Sequence, residues 1–360
     1  QIAMARAVTQ ALASLGNAGE GHHLVVEGGT GIGKSVAYLL PAILFAARNN
    51  VRVVVSTNTI NLQEQLITKD IPALVEALAA VGGLDLSKFY YTQLKGKANY
   101  LCIRRWEGLA NSDLLTPEDA GTMSKTLGWL RQTHTGDRAE LSLRGSDLDT
   151  WNRMNASNFG TCVGAREGAC FYRHARDEAN AAHLLVVNHA LLLSNMQVDG
   201  TVLPEFDYLI VDEAHNLEEE ATRQFGFRVS QTTMEDLGER LGSMAHSLGN
   251  ALKVSPLEQG QRDDAQAQMD DMQGSLREMR ERWAKLMAGM VAFSKTHQEG
   301  GDDGELRITP GLRTQPAWSE IEIAWDDFEQ AAGDASNRAD AVWRTMEHLP
   351  AERVPGLADL

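Results

Sequence analysis

Short apolar runs alternate with amphipathic helical patterns over much of the chain. The runs cover residues 24–27, 51–55, 184–187 and 208–211, and they have the length and β-branched content of buried strands. A helical pattern begins near Lys34, between the first two runs, which is the order of a βαβ unit. We therefore predict an α/β fold with a parallel sheet that carries helices on both faces.

The spacing of these runs predicts how the domains are organised. Residues 1–99 and 183–222 form the two parts of the sheet domain, and residues 100–182 form an insert that holds all three cysteines. Residues 223–360 are predicted to form a helical domain, with a Gly-rich, acidic loop at 298–304.

Two stripes at helical spacing support the helical domain. Their members are Met269, Met272, Leu276, Met279, Trp283, Leu286 and Met290, then Trp318, Ile321, Trp325, Phe328 and Ala332. Such a stripe could serve a cofactor or a partner surface, but packing within a helical hairpin is the commoner cause.

Length and charge narrow the class of protein. A chain of 360 residues is longer than a single hydrophobic core usually spans, so at least two domains are expected. A formal net charge of −16 argues against indiscriminate coating of nucleic acid, so any contact with nucleic acid is local. The longest apolar run, 36–47, contains Pro41 and is too short to span a membrane. Without a secretory signal, the chain is expected to be cytoplasmic, and its start without Met suggests a piece of something longer.

A glycine-rich loop follows the first apolar run and opens the helix. It matches the phosphate-loop pattern with Gly28, Gly29, Thr30, Gly31, Ile32, Gly33, Lys34 and Ser35. Backbone N–H groups and the helix N-terminus would face phosphate oxygens, Lys34 would reach the β and γ phosphates of ATP, and Ser35 would bind Mg²⁺.

An apolar strand ending in two carboxylates supplies the second half of the predicted site. Asp212 is expected to hold Mg²⁺ and Glu213 to polarise the attacking water, because ligands of open α/β sheets bind at the carboxyl ends of the strands. Taken alone, the two acids could instead cap a helix. The phosphate loop favours the catalytic interpretation.

These motifs, with three further stretches, resemble superfamily-two helicases of the DinG and XPD family. The matching stretches are 56–66, 94–102, 186–192 and the Asp-Glu-Ala-His box that ends at His215. The resemblance implies a RecA-like motor domain, an iron-sulfur insert and a helical arch domain. It also implies ATP-dependent 5′ to 3′ unwinding of single-stranded or forked DNA, a catalytic role for His215 and recognition of adenine by Gln1. No counterpart of the family's second motor domain is found, so the isolated chain is expected to be inactive.

Polar and basic residues near two of these stretches predict a path for single-stranded DNA. They are Thr57, Asn58 and Thr59 at a strand end, and Lys95, Lys97, Arg104 and Arg105 beside Tyr100 and Trp106. The alternative for the basic group is a solvated face with two core aromatics.

The cysteines depart from the family pattern. The family places four cysteines around a [4Fe-4S] cluster, whereas this chain has Cys102, Cys162 and Cys170, with Glu167 where the family usually has a cysteine. Three thiolates could hold a three-iron cluster, or a four-iron cluster completed by Glu167, His174 or an exogenous group. Alternatively, the cluster has been lost.

Two other functions remain open at the level of sequence. A nucleic-acid-stimulated ATPase could remodel RNA or nucleoprotein, and a nucleotide-gated scaffold could recruit a partner through the acidic helical region. Both would keep the phosphate loop.

Overall fold

The computed structural model describes nine ranges of the chain and isolated positions between 234 and 252. The ranges are 1–14, 23–29, 31–81, 85–111, 115–157, 170–198, 200–226, 258–297 and 306–347. The chain divides into two compact units, Gln1–Phe227 and Arg228–Leu360.

A four-stranded parallel sheet forms the centre of the first unit, in the order β2-β3-β1-β4. The strands are β1 (Val53–Thr57), β2 (Tyr91–Gln93), β3 (Leu184–Asn188) and β4 (Tyr208–Val211). β1 lies between β3 and β4, with Val55 opposite both Val186 and Ile210. Its five residues are all buried, as an interior strand of a sheet covered on both faces requires. The predicted α/β class is confirmed.

Helices connect and cover these strands. The helices of this unit are Ile2–Ala13, Lys34–Asn49, Ile60–Gln65, Ile71–Val81, Ile103–Ala110, Pro117–Leu130, Ser146–Met154, Phe171–Ala181, His189–Gln197 and Leu217–Phe225. Leu39 and Ile43 of the helix Lys34–Asn49 are fully buried against the sheet, in one cluster with Val53 and Val55. This packing fixes the helix that begins at the phosphate loop.

The first predicted strand, at residues 24–27, is not formed. These residues have no regular structure, and the side chain of Val25 is 94% exposed. β4 is therefore an edge strand of the described sheet, next to β1 alone, and the side chain of Leu209 on it is also exposed. An apolar run becomes a strand only where a neighbouring backbone pairs with it, and here no pairing with β4 is made.

The segment between β2 and β3 forms a small helical body with its own core. Leu101, Trp151 and Met154 are buried together, and the indole Nε1 of Trp151 donates to the carbonyl of Ala98 at 2.8 Å. An antiparallel bridge between Leu101 and Asn155 joins the two ends of this body.

The second unit, considered by itself, is helical. The helices Gln259–His297 and Pro316–Glu347 pack along each other, and the short helix Pro310–Arg313 precedes the latter. The first predicted stripe forms the core, with Met269, Trp283 and Leu286 buried. In the second stripe Ile321 is buried but Trp325 is 45% exposed, so the stripe is correct in outline only. The predicted loop at 298–304 lies outside the described residues.

Among the helices of the described residues, none combines the length and the apolar content that crossing a bilayer requires.

Candidate nucleotide site

The phosphate loop turns sharply just before the helix Lys34–Asn49. Gly31 and Gly33 have φ angles of 76° and 77°, a left-handed conformation that glycine adopts without steric cost. A Cβ atom at Gly33 would lie 1.8 Å from Nε2 of Gln1. The side chain of Gln1 therefore lies directly against the loop. Thr30 lies outside the described residues.

The two carboxylates follow the end of β4. The N–H of Asp212 donates to the carbonyl of Ser56 on β1 at 2.8 Å, which extends the ladder by one residue. Glu213 then has a φ of 53°, an unusual left-handed conformation for a residue with a side chain. Such strain persists where the surrounding structure imposes it, and it is common at functional sites.

The phosphate loop and the acidic pair face each other. Nζ of Lys34 lies 3.0 Å from Oε1 of Glu213, and both side chains are partly buried. Nδ1 of His215 lies 3.5 Å from the other carboxylate oxygen of Glu213, on an exposed side chain. A phosphate group that contacts Lys34 therefore also comes near the acids of β4.

A further residue of this site, Tyr38, was missed in the sequence. Its buried hydroxyl donates to Oδ2 of Asp212 at 2.9 Å, and its ring lies on the helix one turn after Ser35. Burial and the neighbouring Asp212 carboxylate raise the pKa of Tyr38 far above its usual value, so the hydroxyl keeps its proton. Its position three residues after Ser35 was the available signal, since such residues share a helix face.

His189 is the second residue that the sequence did not assign to the site. The notable contact is with Ser56, whose Oγ lies 2.7 Å from Nδ1 of the imidazole. Burial lowers the pKa of His189, and backbone groups of Glu213 and Asp212 partly oppose this shift. His189 is therefore a buried polar side chain that bonds to Ser56 close to the backbone of the two acids.

The side chains around Lys34 fit a nucleotide with magnesium. Ser35 and Asp212 offer a hydroxyl and a carboxylate oxygen, which are the ligand types that Mg²⁺ prefers. Tyr38 links their elements through its bond to Asp212. The donor set is therefore consistent with the predicted Mg-ATP site.

The segment after β1 is only partly open to a ligand. Thr57 is fully buried, and its hydroxyl donates to the carbonyl of Thr59, so this side chain is not exposed to a ligand in this structure. The hydroxyl of Thr59 caps the helix Ile60–Gln65 by accepting from the N–H of Leu62. Asn58 and Thr59 remain at the surface, at the carboxyl end of the strand.

Lys95 also corrects the expected DNA path. Its side chain is 1% exposed, and its ammonium group forms ion pairs with Glu64 and Asp137. A buried cation persists where charged partners compensate its loss of water, and these two carboxylates do so. Lys95 therefore has no exposed ammonium group to offer to a phosphate.

The other basic residues lie in different surroundings. Lys97 is exposed and its Nζ lies 5.6 Å from the centre of the Tyr172 ring. Arg105 donates to the carbonyl of Asn155 at 2.8 Å, and Arg104 is partly buried. The aromatics beside them belong to the core: Tyr100 is buried and Trp106 donates to Thr126.

Only some of the predicted iron-sulfur ligands lie within the described residues. Cys162 and Glu167 lie outside the described residues. Cys102 and Cys170 are half-buried, each at the N-cap of a helix, and His174 is exposed on the helix that follows Cys170. Within the described ranges, His, Cys, Asp and Glu side chains form no group of three that could hold a metal ion. The described part of the chain thus contains two of the three cysteines predicted as cluster ligands.

The parallel sheet, the glycine turn and the acids at the end of β4 define a phosphate-loop nucleotide-binding domain of the RecA-like class. Comparison with protein families gives a narrower result. The DEAD/DEAH box helicase model matches residues 6–91, and the DEAD_2 model matches residues 138–234. Together with the curated relatives, these matches support a superfamily-two helicase of the DinG type.

Curated relatives give the same result. The chain is 36% identical to the ATP-dependent DNA helicase YoaA of Escherichia coli, over 66% of this chain and 36% of that protein. It is 32% identical to the 3′-5′ exonuclease DinG of Bacillus subtilis, over 68% of this chain and 25% of that protein. It is 34% identical to the ATP-dependent helicase DinG of Mycobacterium tuberculosis, over 61% and 35%. The matches thus span about a quarter to a third of these relatives.

Proposed function

We propose that this chain forms the ATP-binding part of a DNA helicase motor. The observation that carries the proposal is the contact between Lys34 and Glu213, because it brings the phosphate loop and the Asp-Glu-Ala-His box to one place. The relatives named as ATP-dependent DNA helicases support the same reading.

The residues divide the work by their chemistry. Gln1 would recognise adenine, and Lys34 would neutralise charge on the β and γ phosphates. Ser35 and Asp212 would hold the magnesium ion, which would screen the phosphate charge. Glu213 orients the attacking water, with His215 beside it, since phosphoryl transfer depends on positioning and charge stabilisation.

Coupling to DNA would run through β1. Ser56 accepts from the N–H of Asp212, and Asn58 and Thr59 follow two and three residues later at the surface. A movement of Asp212 would therefore be transmitted through β1 to the polar residues Asn58 and Thr59. Unwinding with 5′ to 3′ polarity would further require a second motor domain that closes over the nucleotide.

Nucleotide binding by the chain itself tests the first step. We expect the wild-type chain to bind the non-hydrolysable β,γ-imido analogue of ATP weakly but measurably in calorimetry with Mg²⁺. Lys34→Ala should abolish that binding, while Lys88→Ala, a change at an exposed lysine away from the loop, should not alter it. Equal binding by wild type and Lys34→Ala would refute the proposal.

A second experiment addresses the substrate. In a protein that joins this chain to a second motor domain, single-stranded DNA should stimulate ATP hydrolysis more than RNA of the same length. Stronger stimulation by RNA would favour the remodelling ATPase. A Lys34→Ala variant that keeps full cellular function would favour the scaffold.

We also propose that the cysteines of the insert hold an iron-sulfur cluster. Support comes from the confinement of Cys102, Cys162 and Cys170 to this insert, since thiolates are the usual ligands of such clusters. Anaerobically purified protein should be brown and contain at least three iron atoms per chain, as a three-iron cluster needs. Colourless, iron-free protein would indicate that the cluster has been lost.

A further inference from the structure

Tyr38 occupies a position between the two side chains that were assigned to magnesium. Its hydroxyl donates to Oδ2 of Asp212 at 2.9 Å, and Ser35 lies one turn earlier on the same helix. Tyr38 is 2% exposed, so water does not compete strongly for this bond. A buried tyrosine thus connects the phosphate-loop helix to the end of β4.

The carboxylate of Asp212 is oriented from two sides. Oδ2 accepts from Tyr38, and Oδ1 accepts from the N–H of Glu213 at 3.0 Å. An ionised carboxylate has about four lone-pair sites on its two oxygens, so acceptor capacity remains for a cation or a cation-bound water. Both donors restrict rotation of the group and thereby fix the direction of that remaining capacity.

Ser35 needs an acceptor for its proton when its oxygen binds a cation. A hydroxyl ligand uses a lone pair for the metal and keeps its hydrogen, which then requires a partner. The oxygen of Tyr38 can accept that hydrogen while its own hydrogen points to Asp212. The three groups would then form a chain from Ser35 through Tyr38 to Asp212, in which each bond polarises the next.

We infer that Tyr38 is a positioning residue that holds the carboxylate of Asp212 in the orientation required for magnesium at Ser35 and Asp212. The inference rests on the proposed function and specifies how one of the metal ligands is oriented. Tyr38 is not itself a ligand or a catalytic residue. Its effect should therefore appear in the dependence of nucleotide binding on Mg²⁺, and not in binding without the metal.

Calorimetry with the β,γ-imido analogue of ATP tests this inference with Tyr38→Phe, which keeps the ring and removes the hydroxyl. In EDTA, wild type and variant should bind with equal affinity. In a titration with MgCl₂, Tyr38→Phe should need about tenfold more Mg²⁺ for half-maximal binding, as expected for the loss of one hydrogen bond to a charged group. Tyr208→Phe removes a hydroxyl from the strand that leads to Asp212 and should behave as wild type.

The outcomes distinguish failure of this inference from failure of the proposed function. An unchanged Mg²⁺ dependence in Tyr38→Phe overturns the inference, even if the melting temperature falls, because a purely structural role predicts that result. Lack of nucleotide binding by wild type with Mg²⁺ overturns the proposed function, and the inference with it. A double-mutant cycle gives a second measurement: Tyr38→Phe should have little further effect on Mg²⁺ dependence once Asp212→Ala is present, and full additivity would contradict the inference.

Discussion

Nζ of Lys34 lies 3.0 Å from Oε1 of Glu213, although 179 residues separate the two along the chain. The side chains are 23% and 27% exposed, so the pair is neither fully buried nor fully solvated. The ammonium group that pairs with Glu213 is the one assigned to the β and γ phosphates. Glu213 and a phosphate therefore compete for the same cation.

This competition predicts the effect of Glu213→Gln on nucleotide binding. A neutral amide attracts Lys34 less than a carboxylate does, and an ion pair of this exposure contributes up to about 1 kcal/mol. The affinity for the β,γ-imido analogue should therefore rise by up to about fivefold. Calorimetry checks this change, and Glu219→Gln, which alters an exposed glutamate paired with Arg223, serves as the control. A weaker affinity in Glu213→Gln would contradict the competition.

The sequence predicted those features that depend on local residue patterns. β1, β3 and β4 are β-branched or apolar runs typical of buried strands, and the phosphate loop depends on four glycines within six residues. The stripe around Trp283 depends on helical spacing alone. Such features are encoded within about ten residues and need no knowledge of distant partners.

Other features depend on partners that lie far away in the chain. The sequence predicted Lys95 to be an exposed cation, because its partners Glu64 and Asp137 lie 31 and 42 residues away along the chain. Tyr38 was not singled out in the sequence, because the bond that shows its role joins it to Asp212, 174 residues away. The prediction of a strand at 24–27 was wrong for a related reason, because a strand forms only where a neighbouring backbone pairs with it.

The burial of Lys95 predicts that replacing Lys95 lowers the free energy of unfolding much more than replacing the exposed Lys97. Lys95→Met leaves Glu64 and Asp137 without their cation, and breaking a buried pair in this way costs about 3 kcal/mol or more. Lys97→Met removes an exposed charge and should change the free energy of unfolding by less than about 0.5 kcal/mol. Urea denaturation checks both values.

DNA binding by the same two variants completes the comparison. If Lys97 contacts a phosphate, Lys97→Met should weaken the binding of single-stranded DNA and reduce its salt dependence by about one ion. Folded Lys95→Met should bind as wild type does. Fluorescence anisotropy at two salt concentrations measures both, and loss of DNA affinity in folded Lys95→Met would restore Lys95 to the DNA path.

The helical unit has a core that should respond to a cavity. Leu286 is buried in the cluster that contains Trp283 and Met279, so Leu286→Ala should lower the free energy of unfolding of this unit by about 2 to 4 kcal/mol. Val291→Ala, at an exposed position of the same helix, should cost less than about 1 kcal/mol. Thermal melts monitored by circular dichroism compare the two. Similar losses in both variants would show that the stripe is not the core.

Asp119 gives the insert a stability that depends on pH. Burial alone would raise its pKa, but hydrogen bonds from the backbone of Thr116 and the side chains of Thr150, Thr116 and Arg153 outweigh this and hold the pKa at about 2, below the usual 3.8. A carboxyl group whose pKa falls on folding stabilises the folded state above its unfolded pKa. This contribution of about 2 kcal/mol should be complete above pH ~4 and lost as the pH falls from about 4 to 2.

Asp119→Asn tests that contribution, because the amide carries no charge at any pH. The variant should be less stable than wild type at pH 7 by about 1 to 2 kcal/mol, and its stability should vary less between pH 4 and 2. Asp149→Asn, an exposed change on the helix Ser146–Met154, should keep the wild-type profile. Urea titrations at several pH values give the two curves. Parallel curves for wild type and Asp119→Asn would mean that Asp119 does not link folding of the insert to protonation.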